Sequence, residues 1–331
     1  MTEPRASIQG AAEPRATAQP SASAGSWQTI PSPRARRIAE ISILLVMFSW
    51  GSNVVAVKAV IADVPPILFA FCRFGLAFVV LLAILKWREG SVGLPRRDVV
   101  PMLLLGLTGF GIYQDLWASA LGQTTAANSA LITAATPVST MLLCAVVGTD
   151  TLSRAKLAGS MIALSGAVGV VVATHGIGFT GASLGDLMTL AATLCWAVYV
   201  AYGTPILARH SPLRMSTWAI GFGALGMLPF AVLQAPSFQP SNVHAGTVAL
   251  FLFCALVPAA LANVIVFESV KVLGPSRTML FQFLVPAFAV GMAALFLSEA
   301  IVLGQLVGGA VIVLGILVAR SRRVDRLLSA V

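Results

Sequence analysis

Apolar residues run along this chain in stretches of about twenty, broken by short polar turns. Ten stretches follow one another: Ile38–Val60, Pro66–Trp87, Val99–Ala118, Ala126–Val147, Ala155–Ala173, Leu184–Leu207, Leu213–Leu233, Ala245–Ser269, Ser276–Leu297 and Ala300–Ala319. At about 1.5 Å of rise per residue, a helix of that length reaches across the hydrocarbon core of a bilayer. The stretches are continuous and do not alternate, which argues against barrel strands. The pattern therefore predicts an all-α membrane protein with ten transmembrane helices, called spans one to ten below.

The ten stretches are one design written twice. Phe48-Ser49-Trp50 recurs 146 positions later as Leu194-Cys195-Trp196, and Pro66 as Pro212. The offset then slips to 149, where Pro137 falls on Pro286, Asp150 on Glu299, Gly159 on Gly308, Gly166 on Gly315 and Gln114 on Asn263. The copies cover residues 38–173 and 184–319. Each holds five spans, an odd number, so the second must insert upside down relative to the first. Inverted repeats meeting at the bilayer midplane are a common architecture of secondary transporters.

Composition agrees with a lipid-solvated chain. Hydrophobic residues make up 58% and charged residues 10% of the total, against about 25% charged in soluble domains. The net charge of +9 would fit a nucleic-acid partner, but its placement argues against one. With the amino terminus in the cytoplasm, 19 of the 21 Lys and Arg residues fall on the inner side, and the other two, Lys58 and Arg73, lie within spans. This is the positive-inside bias, and it predicts both termini inside. The basic clusters then set orientation beside anionic lipid. Residues 1–37 carry no apolar period and are expected to be a disordered cytoplasmic tail; 320–331 form a basic one. The four cysteines all lie inside spans without metal or redox spacing, so no disulfide framework, metal or cofactor is implied.

Polar groups inside the spans are the candidates for function, because a charge at mid-membrane costs roughly 2.5–3.5 kcal/mol. Lys58, Arg73 and Asp115 stand out. Arg73 lies seven residues below Pro66, about 10 Å into span two, and all three sit in the outer half on successive helices. Arg73 could hold a substrate carboxylate or pair with Asp115, and Lys58 could line the same vestibule or snorkel to the interface. Asn53 and Gln114 add polar atoms nearby in sequence. In span four, Thr125, Ser129, Thr133, Thr136 and Thr140 form one helical stripe. Ser129 and Thr133 project at the 149 offset onto Thr278 and Gln282 in span nine. Pro137 and Pro286 should bend these two helices and release the carbonyls of Thr133 and Gln282. Two readings stay open: a stripe lining a permeation path, or hydroxyls bonded back to their own helix. Trp50 and Trp196 gain weight from their repeat symmetry, while Trp117, Tyr199, Tyr202 and Phe281 are further candidates for apolar walls. Asp150 and Glu299 precede spans five and ten as favourable anions at a helix start.

In their order over both copies, these residues resemble the EamA-type transporters of the drug/metabolite transporter superfamily. The first copy carries Ser49-Trp50-Gly51-Ser52-Asn53, Lys58, Pro65-Pro66 and Arg73, then Thr136-Pro137-Val138 and Asp150. The second carries Leu273-Gly274-Pro275-Ser276, Phe283-Leu284-Val285-Pro286 and Glu299. The resemblance spans residues 38–319 and departs at Leu152, where the family pattern has Arg. It implies two inverted five-helix repeats around a central cavity in the bacterial inner membrane, and export of small metabolites such as amino acids. Polyspecific cation efflux is the alternative, though Asn53 and Lys58 stand where a cation carrier needs an acid. A membrane-embedded transferase would need a catalytic set that the chain lacks. Asp115 is the acid that could couple transport to protons. Monomer and homodimer are both compatible with the pattern.

Overall fold

The computed structural model describes residues 31–120, 123–124, 126–175, 183–297 and 300–321. Most of both expected tails, together with Thr125 and Glu299, lies outside the described residues. Among the described residues the regular structure is helical, and nine helices are long and apolar enough to cross a membrane. The fourth expected span is divided. It forms two helices, Ala126–Ala134 and Thr136–Val147, separated by a turn at Ala135. Pro137 explains the division, since it has no N–H to continue the ladder and its ring crowds the preceding turn.

Helix ends are written locally. Ser32 accepts from the N–H of Ala35 and is followed by Pro33, which starts span one. Span six opens on a capping box in which Ser183 and Asp186 satisfy each other's backbone N–H. Span two ends on Gly90, whose φ of 70° a side-chain-bearing residue rarely adopts.

The repeat extends to backbone irregularities. Span three changes to π-helix at Leu107–Ile112, and span eight does so at Ala255–Leu261. These segments coincide at the 149 offset, so both copies widen the same turn, a feature that often marks functional positions.

Packing follows a pseudo-two-fold exchange of the copies. Span one packs on the second half of span nine, and span six on the second half of span four. Spans two and seven, which are equivalent, pack on each other, as do spans five and ten. The last pair is drawn closest. A Cβ at Gly159 would lie 2.5 Å from the carbonyl oxygen of Gly315, and one at Gly166 would lie 2.7 Å from that of Gly308. Each glycine thus faces the repeat counterpart of the other, and the two helices run antiparallel, as equivalent helices of inverted copies must.

The main core joins spans one, two, three, six, seven and eight through Met47, Phe74, Met102, Tyr199, Met215 and Phe267. A smaller core around Ala163, Ala167, Phe283 and Ile312 joins spans five, nine and ten. Leucines such as Leu45 and Leu314 stay exposed on the outside, where a membrane protein meets lipid and not water.

Candidate functional site

Where the copies meet, the two symmetric tryptophans touch. The rings of Trp50 and Trp196 stand edge to face with centroids 5.6 Å apart, a favoured arrangement for aromatic pairs. Trp196 also packs on Tyr113 at 5.9 Å and on Tyr199 at 5.4 Å. Phe110, in the π-segment of span three, contacts Tyr199 at 5.0 Å and Phe74 at 5.3 Å. This ring chain leads from the tryptophan pair to span two, where the Arg73 guanidinium lies 4.5 Å from the Phe74 ring centroid and 5.2 Å from that of Phe69. Phe69, Phe74, Phe110 and Tyr113 are the members that the sequence patterns missed. Their signal was weak, because none recurs as an aromatic in the second copy.

Arg73 is the unusual member. It is buried at 7% exposure, and its Nε meets no acceptor. No ion pair or hydrogen bond holds its guanidinium among the described residues; it stacks on two rings. The pairing with Asp115 considered above is absent. Asp115 is half-buried, and its Oδ1 has no partner either. A buried guanidinium without an anion is costly, so these side chains satisfy neither themselves nor each other.

Other candidates divide. Asn53 Oδ1, Trp196 Nε1, Tyr199 OH and Gln282 Oε1 are buried without partners. Gln114 is buried, while its counterpart Asn263 donates its amide to the carbonyl of Ala259 at 2.8 Å within its own helix. Trp50 donates its indole N–H to the Pro258 carbonyl at 3.1 Å. The equivalent acceptor for Trp196 would be Gly109, but the Tyr199 ring presses on that glycine instead. Lys58 is exposed. Tyr202 is 52% exposed, and neither it nor Trp117 joins the ring contacts. Phe281 serves Arg320 at the basic end of the molecule.

Two hydroxyls of the span-four stripe, those of Thr136 and Thr140, bond back to their own helix. Thr140 donates to the carbonyl of Thr136, and Thr278 to that of Gly274. The carbonyls released ahead of the prolines are not left open. The Thr133 carbonyl accepts from the Thr136 hydroxyl at 2.6 Å. The Gln282 carbonyl accepts the N–H of Val285 by tightening Phe281–Leu284 into a 3-10 turn. Ser and Thr near a break satisfy the helix they sit on, which is why a sequence stripe alone does not make a path.

Asp150 also acts differently from the expectation. Its carboxylate pairs with Lys156 at 2.7 Å and accepts the backbone N–H of Ser276 at 3.2 Å. It therefore caps span nine of the other copy, with Lys156 supplying the cation absent at position 152.

The asymmetry of the tryptophan bonds yields a testable difference. Trp50→Phe keeps the ring stack and loses the bond to Pro258, so it should cost about 1 kcal/mol. Trp196→Phe loses no bond, and thermal unfolding in detergent should show it as the milder change.

A helical membrane protein whose two equivalent halves pack as an inverted pair, with aromatic and unpartnered polar groups at their junction, has the architecture of a secondary transporter. The chain belongs to the EamA-like transporter family, whose sequence model matches it twice, over residues 37–172 and 183–321. An uncharacterized transporter of Bacillus subtilis, YyaM, is 28% identical over 84% of this chain and 93% of its own. A probable terminal-alkyne amino-acid exporter of Streptantibioticus cattleyicolor is 27% identical over 86% of this chain and 94% of its own. A solved structure titled "Crystal structure of protein" shares the fold, with a TM-score of 0.74 and 21% identity, covering 90% of this chain and 99% of that one. The protein is thus a multi-pass membrane transporter.

Proposed function

We propose that this transporter exports small carboxylate-bearing metabolites, amino acids among them, by alternating access through a central cavity between its two copies, with the basic end in the cytoplasm. The observation that carries this reading is Arg73, a buried guanidinium stacked on two rings with no acceptor of its own. A guanidinium presents donors in a planar fork that matches a carboxylate bidentately. The adjoining rings of Tyr113, Trp196 and Trp50 suit the apolar body of an amphipathic solute. The name of the Streptantibioticus relative, an amino-acid exporter, supports the same class. Cation efflux fits less well, since the buried charge of the site is positive.

The test is uptake of a labelled amino-acid panel into liposomes holding the purified protein, with and without a pH gradient. Saturable uptake of a subset is the expected result. Equal leakage of all solutes, as in empty liposomes, would reject the carrier. Asp115, partnerless within span three, is the proposed proton carrier. Asp115→Asn should abolish the stimulation by the gradient while leaving solute exchange intact; a variant still driven by the gradient would clear Asp115 of that role.

A further inference from the structure

The pseudo-two-fold relation gives two joints at the basic end of the molecule counterparts at the opposite end, and the members of each pair differ in kind. At the basic end, Asp98 in the first turn of the helix Arg96–Gly106, which begins span three, is 1% exposed. Its carboxylate meets Arg209 Nη2 at 2.9 Å and His210 Nε2 at 2.9 Å, both from the turn between spans six and seven. One copy is thereby tied to the other. The repeat places Thr247 where Asp98 stands and Asp63 where Arg209 stands. These counterparts also touch, through a bond from the Thr247 hydroxyl to Asp63 at 2.5 Å. The same joint is a buried acid with basic partners at one end, Arg97 adding a contact at 3.6 Å to those of Arg209 and His210, and an acid with a hydroxyl at the other.

A second joint repeats the difference. At the basic end Glu89, closing span two, holds Arg214 at 2.9 Å and accepts from the Ser211 hydroxyl at the start of span seven. Arg214 also donates to the carbonyl of Gly93 at 2.8 Å. At the opposite end the corresponding clasp is neutral: Gln234, near the end of span seven, accepts from the N–H of Ile67 at 2.9 Å at the start of span two. A further tie at the basic end links Arg320, the last residue of the helix Leu303–Arg320, to Glu40 in span one. Charge-assisted bonds are stronger than neutral ones, and separating Asp98 from its partners would strand a buried charge.

We propose that the Asp98–Arg209–His210 cluster is a latch that holds the basic end of the transporter shut and makes opening at the opposite end the less costly motion. The proposal rests on the alternating-access reading and adds to it which end yields first. It assigns Asp98 a conformational role, away from the ring cluster.

Hydrogen–deuterium exchange of the full-length protein in nanodiscs tests it. In Asp98→Asn, backbone exchange across residues 96–106 and 203–215 should rise by about ten-fold, the scale of one lost charge-assisted bond. Residues 60–68 and 243–250 at the opposite end should not change. An unaltered pattern would overturn the latch. If Asp98→Asn raises exchange throughout and so reports unfolding, the reciprocal variant decides. Asp63→Arg with Thr247→Asp builds the ionic joint at the opposite end and should slow exchange at 60–68 and 243–250; no slowing there would overturn the proposal. The same preparations tested for amino-acid uptake separate the two ideas. Shifted exchange without amino-acid uptake would remove the proposed substrate class and leave the latch standing. Transport with unshifted exchange in both variants would do the reverse.

Discussion

Arg73→Gln is expected to lower kcat/KM for carboxylate solutes by about 100-fold, as loss of a buried charge-assisted pair implies. The same variant should unfold at an equal or higher temperature than the parent. The second half of this result separates a binding role from a structural one. Were Arg73 half of a buried ion pair, removing it would strand a carboxylate and cost about 3–5 kcal/mol. Among the described residues it has no such partner, only the rings of Phe69 and Phe74 and an Nε without an acceptor. Arg73→Gln therefore removes an unpaired buried charge from the resting protein. The amide analogue of a transported acid should lose its disadvantage in the variant, because no guanidinium remains to prefer the anion. Unchanged kinetics for the acid would exclude Arg73 from the site, and a large fall in stability would return it to the scaffold.

The second large effect is expected where spans five and ten cross. Gly159→Val or Gly315→Val should cost several kcal/mol, at or beyond the roughly 1–3 kcal/mol typical of overpacking. The new side chain meets backbone there. A Cβ at Gly159 would lie 2.4 Å from the Ala319 nitrogen, and one at Gly315 would lie 2.4 Å from the Ala163 nitrogen. Flexible side chains could yield, but two helix backbones can only separate, and separation also opens the contact between Gly166 and Gly308. The milder pair Gly159→Ala and Gly315→Ala should be less than additive, since the first substitution already moves the helices that the second would push. Thermal unfolding of the single and double variants in detergent measures this directly. Additive losses would mean that the two glycines are not parts of one crossing.

Particular residues show how far the chain can be read without its fold. The tryptophans at 50 and 196 were marked by their 146-residue spacing, and they touch. Glycines 159, 166, 308 and 315 were marked by the 149 spacing, and each faces the counterpart of its partner. Symmetry in the sequence becomes contact in space because an inverted pair must meet at its own axis. Arg73 and Asp115 were marked by the cost of charge in lipid, a property of the residue that needs no neighbour. The sequence left open whether they pair, because that depends on which way two helices turn. The threonine stripe was open to two readings for a related reason. A hydroxyl on a membrane helix has an acceptor one turn back on its own backbone, so a stripe looks the same whether it faces a path or serves the helix. Phe110 and Tyr113 were not legible, since an aromatic residue in an apolar run carries no label of its neighbours.

Hydrophobic length, repeat spacing and the placement of charge are local or additive properties, and they were enough to determine a helical membrane protein of two inverted copies. The tertiary structure decided the rest. It brought Asp98 to Arg209 and His210, and Asp150 to the start of span nine. It divided span four at Ala135 and left Arg73 among rings without an anion. Each of these depends on pairing residues far apart in the chain, and pairing is set by the rotation and crossing of packed helices, which no count along a sequence contains.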